Sequence, residues 1–378
     1  MIWMVLGSIV PSALIACAIG YLVRYISPRL GFVDRPDRRK QHDRVMPLGG
    51  GLAILAGLVL PLAAGNVLAW AINEGRLDPL AWSPPLPESI ARLIVTHAEG
   101  VLAQSANLWL LISGGTLVLT VGLVDDWRGL DWRWRLGAQT AVAVALVTNG
   151  YRLSLFIELP SVTATISVIW IVGLINSFNM LDNLDGLSGG VATIAASILA
   201  TVLLLAPDPT TNQPQFFIGG LLLVLVGATL GFLWHNWPPA RLFMGDGGSY
   251  LLGYMLAACT IMATFAGGDV PPHAVFAPLC ILAVPIYDTL SVLIIRFRQR
   301  RNPFAADRSH FSHRLLNLGM TRVQVLLTIY LATATTGLGA LLLHQVNAYG
   351  AAVILLLVAC VLLLVAILEM AGHRQQRP

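Results

Sequence analysis

Asp125 and Asp126 stand side by side at the end of an apolar run. Adjacent carboxylates repel one another unless a cation or a proton lies between them and the solvent. Mg²⁺ suits the position, being a hard ion commonly held by one or two carboxylates together with substrate phosphates, and Mn²⁺ accepts the same oxygen donors. A solvated helix end is the plain alternative, but the C-terminus of a helix disfavours negative charge. Asp125 and Asp126 are therefore candidate catalytic residues.

Residues 176–190, NSFNMLDNLDGLSGG, carry a second cluster. Asn176, Asn179 and Asn183 follow the i, i+3, i+7 spacing of one helical face, and Asp182 and Asp185 are three apart. Amides there can hold sugar hydroxyls or phosphate oxygens, and the carboxylates can complete or orient a metal site. Asp182 is a candidate metal ligand; Asn179 and Asp185 are candidate substrate contacts. At residues 243–249, FMGDGGS presents Asp246 among glycines whose N–H groups can form an anion-binding nest at a helix start. Asp246 is a second candidate metal ligand.

Cationic groups supply the counterpart. Lys40 and His42 precede Pro47-Leu48-Gly49-Gly50-Gly51, where glycine backbone at the mouth of a helix can approach a phosphate closely. Residues 296–322 hold His310, His313 and Arg314 among further arginines, a set suited to a pyrophosphate. Zinc held by the two His and an Asp is the competing reading, and no further His or Cys lies near to support it. Both basic segments also read as topology signals. Carboxylates, glycine turns and cationic donors are together the parts of phosphoryl transfer, in which positioning and charge neutralisation carry most of the catalysis.

The elements that must hold these residues are membrane helices. The chain has 378 residues, 56% hydrophobic and only 11% charged, with mean hydropathy +0.75, far from the composition of a soluble domain. Runs that approach or exceed the ~20 residues of a helical span recur, and the short alternating segments of an outer-membrane barrel do not. The expected fold class is an all-α polytopic membrane protein, a single domain over residues 1–378, with about eleven transmembrane helices. Spans are expected at about 1–23, 49–72, 107–124, 136–148, 163–175, 187–205, 216–234, 250–265, 274–295, 323–343 and 350–367. No basic residue precedes the first, so it reads as a retained helix with its N-terminus outside.

Charge tests this parity. Of the 23 Lys and Arg, only Arg76, Arg92 and Arg152 fall in the segments expected outside, and basic residues collect on the cytoplasmic side. The C-terminus is then cytoplasmic, residues 73–106 form an external loop, and the polar clusters, with Asp34 and Asp288, meet on the cytoplasmic face. Cys17, Cys259, Cys280 and Cys360 are isolated in apolar segments and are assigned neither a metal nor a disulfide.

With these motifs in chain order, from DRPDRRKQH…PLGGG to SHFSHRLLNLG, residues 31–319 resemble the polyprenyl-phosphate N-acetylhexosamine-1-phosphate transferases, and most closely the bacterial branch that uses UDP-N-acetylglucosamine. The resemblance implies Mg²⁺-dependent transfer of a sugar-1-phosphate from a UDP-sugar to undecaprenyl phosphate with release of UMP. That reaction is the first membrane step of cell-envelope glycan synthesis, and it implies a multi-pass protein of the bacterial inner membrane with a cytoplasmic active site. The implied partners are undecaprenyl phosphate, the UDP-sugar and membrane lipid, with no nucleic acid; a homodimer is compatible. By position, Asp125 and Asp126 match the family's paired aspartates, Asp182 and Asp185 its acidic Asn-rich loop, and Asp246 its Mg²⁺ ligand. Lys40, His42, His310 and His313 match its basic and histidine-containing substrate loops. Two residues depart from the pattern: Asn183 stands where relatives often carry Gly, and Ser312 where the histidine loop commonly has another His.

The resemblance suggests Asp125 as a base for the lipid phosphate. A phosphate monoester has a second pKa of about 6 and is mostly dianionic at neutral pH, so Asp125 and Asp126 read first as organisers of phosphate and metal. Proton removal is the lesser role, with Asp125→Asn expected to recover partly above pH 8. The rival class is a polytopic transporter or flippase, which calls for acidic residues in mid-helix, discontinuous helices and an inverted repeat.

Overall fold

Hydrocarbon offers no partner to a backbone N–H or C=O, so a chain this apolar satisfies its backbone within helices. The computed structural model describes residues 1–36, 44–82, 87–153, 159–206, 208, 211–265, 270–300, 302 and 310–375. Helix α1 (Ile2–Ile26) is followed by a two-residue antiparallel ladder, β1 (Val33–Asp34) with β2 (Met46–Pro47), in which Val33 faces Pro47 and Asp34 faces Met46. Then come α2 (Gly50–Asn73), α3 (Glu88–Ala103), α4 (Ser105–Arg128), α5 (Trp132–Thr148) and α6 (Pro160–Leu181). The rest are α7 (Leu187–Leu205), α8 (Phe216–Asn236), α9 (Gly245–Met262), α10 (Ala277–Ile281), α11 (Ala283–Arg298), α12 (Phe311–Asn317), α13 (Arg322–Leu338) and α14 (Ala348–Gln375).

Among the described residues, eight helices are long and apolar enough to cross a membrane: α1, α2, α4, α6, α7, α8, α13 and α14. The fold is that of an all-α polytopic membrane protein. Each of the eleven expected segments contains a helix, but α5 has only 17 residues and α9 opens on Gly-Asp-Gly-Gly. The segment expected as one helix over 274–295 is broken: residues 272–281 and α11 meet at 68°. Pro285, in the first turn of α11, brings no N–H to the preceding carbonyls. Counted as one span, the pair makes a ninth crossing.

Two further expectations are corrected. Residues 73–106 are not all loop, because α3 lies within them with Ala91 and Ala98 buried, packed against α2. Helix α6 runs six residues past Ile175, because Asn176 and Ser177 return their side chains to the carbonyls of Val172 and Gly173 at 2.8 Å each.

The core is centred on α9, which packs against α2, α4, α6, α7 and α8 and is buried from Gly247 to Ile261. Its first turn touches two neighbours at backbone distance. A Cβ on Gly122 of α4 would stand 2.4 Å from Gly247, and one on Gly51 of α2 would stand 2.5 Å from Gly248. Outer helices α1 and α14 turn apolar side chains such as Leu14 and Leu356 outward, the face a bilayer covers.

Candidate active site

Backbone contact at the first turn of α9 brings the last turn of α4 to its N-terminus. Asp126 accepts the Asp246 N–H at 2.9 Å on Oδ1 and the Gly247 N–H at 3.4 Å on Oδ2. The glycine nest therefore does bind an anion, and the anion is a protein carboxylate placed where a helix N-terminus favours it. The Pro47–Gly51 turn is likewise a joint and not a phosphate cradle, since Gly50 and Gly51 donate to the carbonyls of Phe243 and Met244 at 2.9 and 3.1 Å.

Asp125 is buried and satisfied from three sides. It accepts the Leu130 N–H at 2.6 Å, Arg135 Nη1 at 2.8 Å and the Tyr250 hydroxyl at 3.4 Å. Arg135 also lies 3.9 Å from Asp246 Oδ2, so one guanidinium bridges two helices that carry carboxylates. Asp246 is oriented by Asn179, whose Nδ2 donates to Oδ1 at 2.7 Å and to Ser249 Oγ at 3.2 Å. Asn179 thus supports a site residue and does not line the cavity. Asn176 faces away from it, donating to Gln139 Oε1 of α5 at 2.7 Å. The expected stripe of three asparagines ends with the helix at Leu181.

Beyond that end, the turn between α6 and α7 is sewn to the segment before α9. Asp185 accepts the Ala240 N–H at 3.0 Å, and Asn236 Oδ1 accepts the Gly186 N–H at 2.8 Å. The result is a cavity of about 740 Å³ whose acidic wall is Asp126, Asp182, Asp185 and Asp246. Asp34, Arg44, His313 and Arg322 line it as well. Burial, and after it the charges of Asp126 and Asp185, push the Asp182 carboxyl up to about 8. A cation bound at this wall would have to displace that proton, and its charge would offset the repulsion among the carboxylates. Oxygen-only carboxylate donors fit Mg²⁺ or Mn²⁺, with Asp182 and Asp246 on the cavity surface. Among the described residues no three His, Cys, Asp or Glu groups form a complete metal cage, so water and substrate phosphate would fill the remaining positions.

The histidine-bearing helix α12 divides its residues between two sides. His313 lines the cavity. His310 and Arg314 do not: they are buried behind it on Asp288 of α11, a carboxylate with no solvent exposure. Asp288 accepts the Phe311 N–H at 2.6 Å, faces His310 Nδ1 at 3.1 Å and lies 4.0 Å from Arg314, which donates to Ser291 at 2.7 Å. Direct substrate contact by His310 and Arg314 is therefore replaced by a structural role, and zinc held by the two His loses one of its ligands to Asp288. On the cavity side, Ser312 donates to Asn183 Oδ1. The two residues that depart from the resembled pattern are the two ends of one hydrogen bond.

Lys40 and His42 lie outside the described residues, between β1 and β2; that ladder holds Asp34 and Arg44, on either side of them, at the cavity. Sequence reasoning missed Arg135, Arg44 and Arg322 as site residues because each counted as one topology charge among many. Arg135 carried a signal, being the basic residue one helical turn inside α5 after the paired aspartates. Asp288 carried one too, as an ionisable group in an apolar helix.

The glycosyl transferase family 4 model matches residues 108–264, the stretch from α4 to the end of α9. The chain is 29% identical over 332 residues to a probable undecaprenyl-phosphate N-acetylglucosaminyl 1-phosphate transferase of Bacillus subtilis, covering 86% of this chain and 80% of that protein. It is 30% identical to a decaprenyl-phosphate N-acetylglucosaminephosphotransferase of Mycobacterium tuberculosis, covering 84% and 77%. To the undecaprenyl-phosphate alpha-N-acetylglucosaminyl 1-phosphate transferase of Escherichia coli it is 26% identical, covering 83% and 77%. Asp126, Asp182 and Asp246 of the cavity wall, and Asp125 beside them, all fall inside the matched stretch, and the chain belongs to glycosyl transferase family 4.

Proposed function

We propose that this protein transfers N-acetylglucosamine-1-phosphate from a UDP-sugar to undecaprenyl phosphate, releases UMP and so begins a cell-envelope glycan. The observation that carries the reading is the cavity of about 740 Å³, which carboxylates from α4, the α6–α7 turn and α9 line together with His313, Arg44 and Arg322. That volume suits a small-molecule site, and the two signs of charge suit a diphosphate taken with a divalent cation. The names of the similar transferases support the acceptor and the sugar.

In this reaction an oxygen of the lipid phosphate attacks the phosphorus that bears the sugar, and the phosphoanhydride bond to UMP breaks. The anomeric carbon is untouched. The acceptor is mostly a dianion at neutral pH, so no strong base is required. Asp182 and Asp246 would hold Mg²⁺ or Mn²⁺, which when bound neutralises phosphate charge in the transition state. Asn179 orients the Asp246 carboxylate, and Asp126 fixes the backbone that carries it. Asp125, with Arg135 and the Leu130 N–H on its oxygens, organises the same corner. His313, Arg44 and Arg322 donate to the diphosphate.

The charge asymmetry of the sequence supports eleven crossings of a bacterial inner membrane, with the N-terminus outside and the C-terminus and cavity cytoplasmic. In that topology α5, α9 and the bent α10–α11 pair cross as short or broken helices packed among others. The bend is the one feature a transporter reading would claim. It does not line the cavity, and the lining carboxylates sit at helix ends and in a turn. Mass spectrometry of lipid extracted after incubation with UDP-N-acetylglucosamine, undecaprenyl phosphate and Mg²⁺ tests the assignment. A lipid heavier by one N-acetylhexosamine phosphate supports it; unchanged lipid beside a folded, cation-loaded protein contradicts it.

A further inference from the structure

Helix α12 has seven residues, too few to hold a conformation or a position by itself. Its position is set by what it is tied to. At its back, Asp288 holds the Phe311 N–H and the His310 ring, and Arg314 reaches Ser291. Phe311 and Leu315 are buried in the core. The helix also packs against α13 and α14, and it carries His313, which lines the cavity.

The front is tied by Ser312, which is 1% exposed and whose hydroxyl donates to Asn183 Oδ1. The carboxamide orientation is fixed independently, because Asn183 Nδ2 donates to the Met180 carbonyl at 2.7 Å and a carbonyl can only accept. Asn183 is thus a strut from the end of α6 to the face of α12. Each end of the strut adjoins a cavity residue: Asn183 follows Asp182, and Ser312 precedes His313.

We propose that the Ser312–Asn183 hydrogen bond is a positioning contact that locks α12 to the acidic turn and sets the reach of His313 toward the diphosphate of a nucleoside-diphosphate substrate. The inference rests on the transferase reading for the identity of that substrate. It makes Ser312 and Asn183 one functional unit, although neither needs to touch the reacting atoms. Displacement of a binding group by about 1 Å is enough to change rates by as much as ~100-fold, and loss of one hydrogen bond predicts an effect of roughly three- to tenfold.

The test is a double-mutant cycle in the full-length protein with Ser312→Ala, Asn183→Ala and the pair. Steady-state kinetics reads KM for UDP-N-acetylglucosamine apart from kcat, and calorimetry reads Kd for UDP in the presence of Mg²⁺. The expected result is KM and Kd raised roughly three- to tenfold in each single variant, with the pair no worse than the weaker single. A contact that only supported the fold would lower the amount of active protein, hence kcat, and leave KM and Kd unmoved; that result overturns the proposal, as do losses that add. A wild type that binds UDP and transfers nothing contradicts the transferase reading while the Kd cycle still decides the strut. A wild type that binds no UDP overturns both.

Discussion

Asp125 and Asp126 are neighbours in sequence with different surroundings, and their variants should behave differently. Asp126 lines the cavity and caps α9, whereas Asp125 is buried on Arg135, Leu130 and Tyr250. A base needs a free lone pair toward the substrate; Asp125 has both oxygens engaged. We therefore expect Asp125→Asn to lose most activity without the partial recovery above pH 8 that the sequence suggests, and Asp246→Asn to be inactive at every pH. Rate profiles from pH 6 to 9.5 check both. Asp182 gives a second test. Its pKa is raised from 3.8 to about 8, so the protonated form is favoured by the fold: this carboxyl stabilises the protein fully below pH 3.8 and the contribution disappears as pH rises through 8. A bound divalent cation replaces the proton. Mg²⁺ should accordingly raise the melting temperature more at pH 8.5 than at pH 6.5, and Asp182→Asn should remove most of that difference. The acidic residues were legible from the sequence because charge is rare in it; their division of labour was not, since it depends on Arg135 and on amides of α9 brought from distant helices.

At the scale of elements, α9 is the piece on which the site depends. Its first turn meets α4 and α2 at glycines, and a methyl group on Gly122 would press on the Gly247 backbone at 2.4 Å. Neither side can yield as a side chain would. Gly122→Ala should separate α4 from α9 and displace Asp125 and Asp126 together, at a cost of about 1–3 kcal/mol. Lower thermal stability and more than tenfold slower transfer are expected. Gly137→Ala, at a position with open space, should be tolerated in both measurements. Helix positions were largely readable, because an apolar run of sufficient length dictates a helix in hydrocarbon. Boundaries were less so. Polarity at Asn176 and Ser177 suggests a loop, yet both side chains bond within the helix. Within 73–106, α3 lies among prolines that read as loop; it buries Ala91 and Ala98, and its remaining surface is polar enough to miss a span pattern. The break before α11 follows from Pro285, which reads in sequence as only one more proline in a long apolar run.

For the molecule as a whole, the proposed transfer requires the cavity to open to the compartment that supplies the UDP-sugar. In a variant freed of its four cysteines, Arg76→Cys should react with a membrane-impermeant maleimide in intact cells and Arg300→Cys only after permeabilisation. The opposite pattern would invert the topology and remove the donor's access. Charge placement is what the sequence offers for this orientation, with three of 23 Lys and Arg in the segments expected outside; the number of crossings is less legible, because α5 and α9 are not among the eight described helices long and apolar enough to span alone. In the proposed function these carboxylates, collected from α4, α6–α7 and α9, run a cation-assisted transfer of sugar phosphate. UMP release by purified protein, assayed across a panel of UDP-sugars, measures it most directly. The proposed transfer should give UMP from UDP-N-acetylglucosamine only when undecaprenyl phosphate and Mg²⁺ are both present, and none from Asp246→Asn. No UMP with any sugar from a folded wild-type preparation, or release unaffected by chelation of the cation, would contradict it.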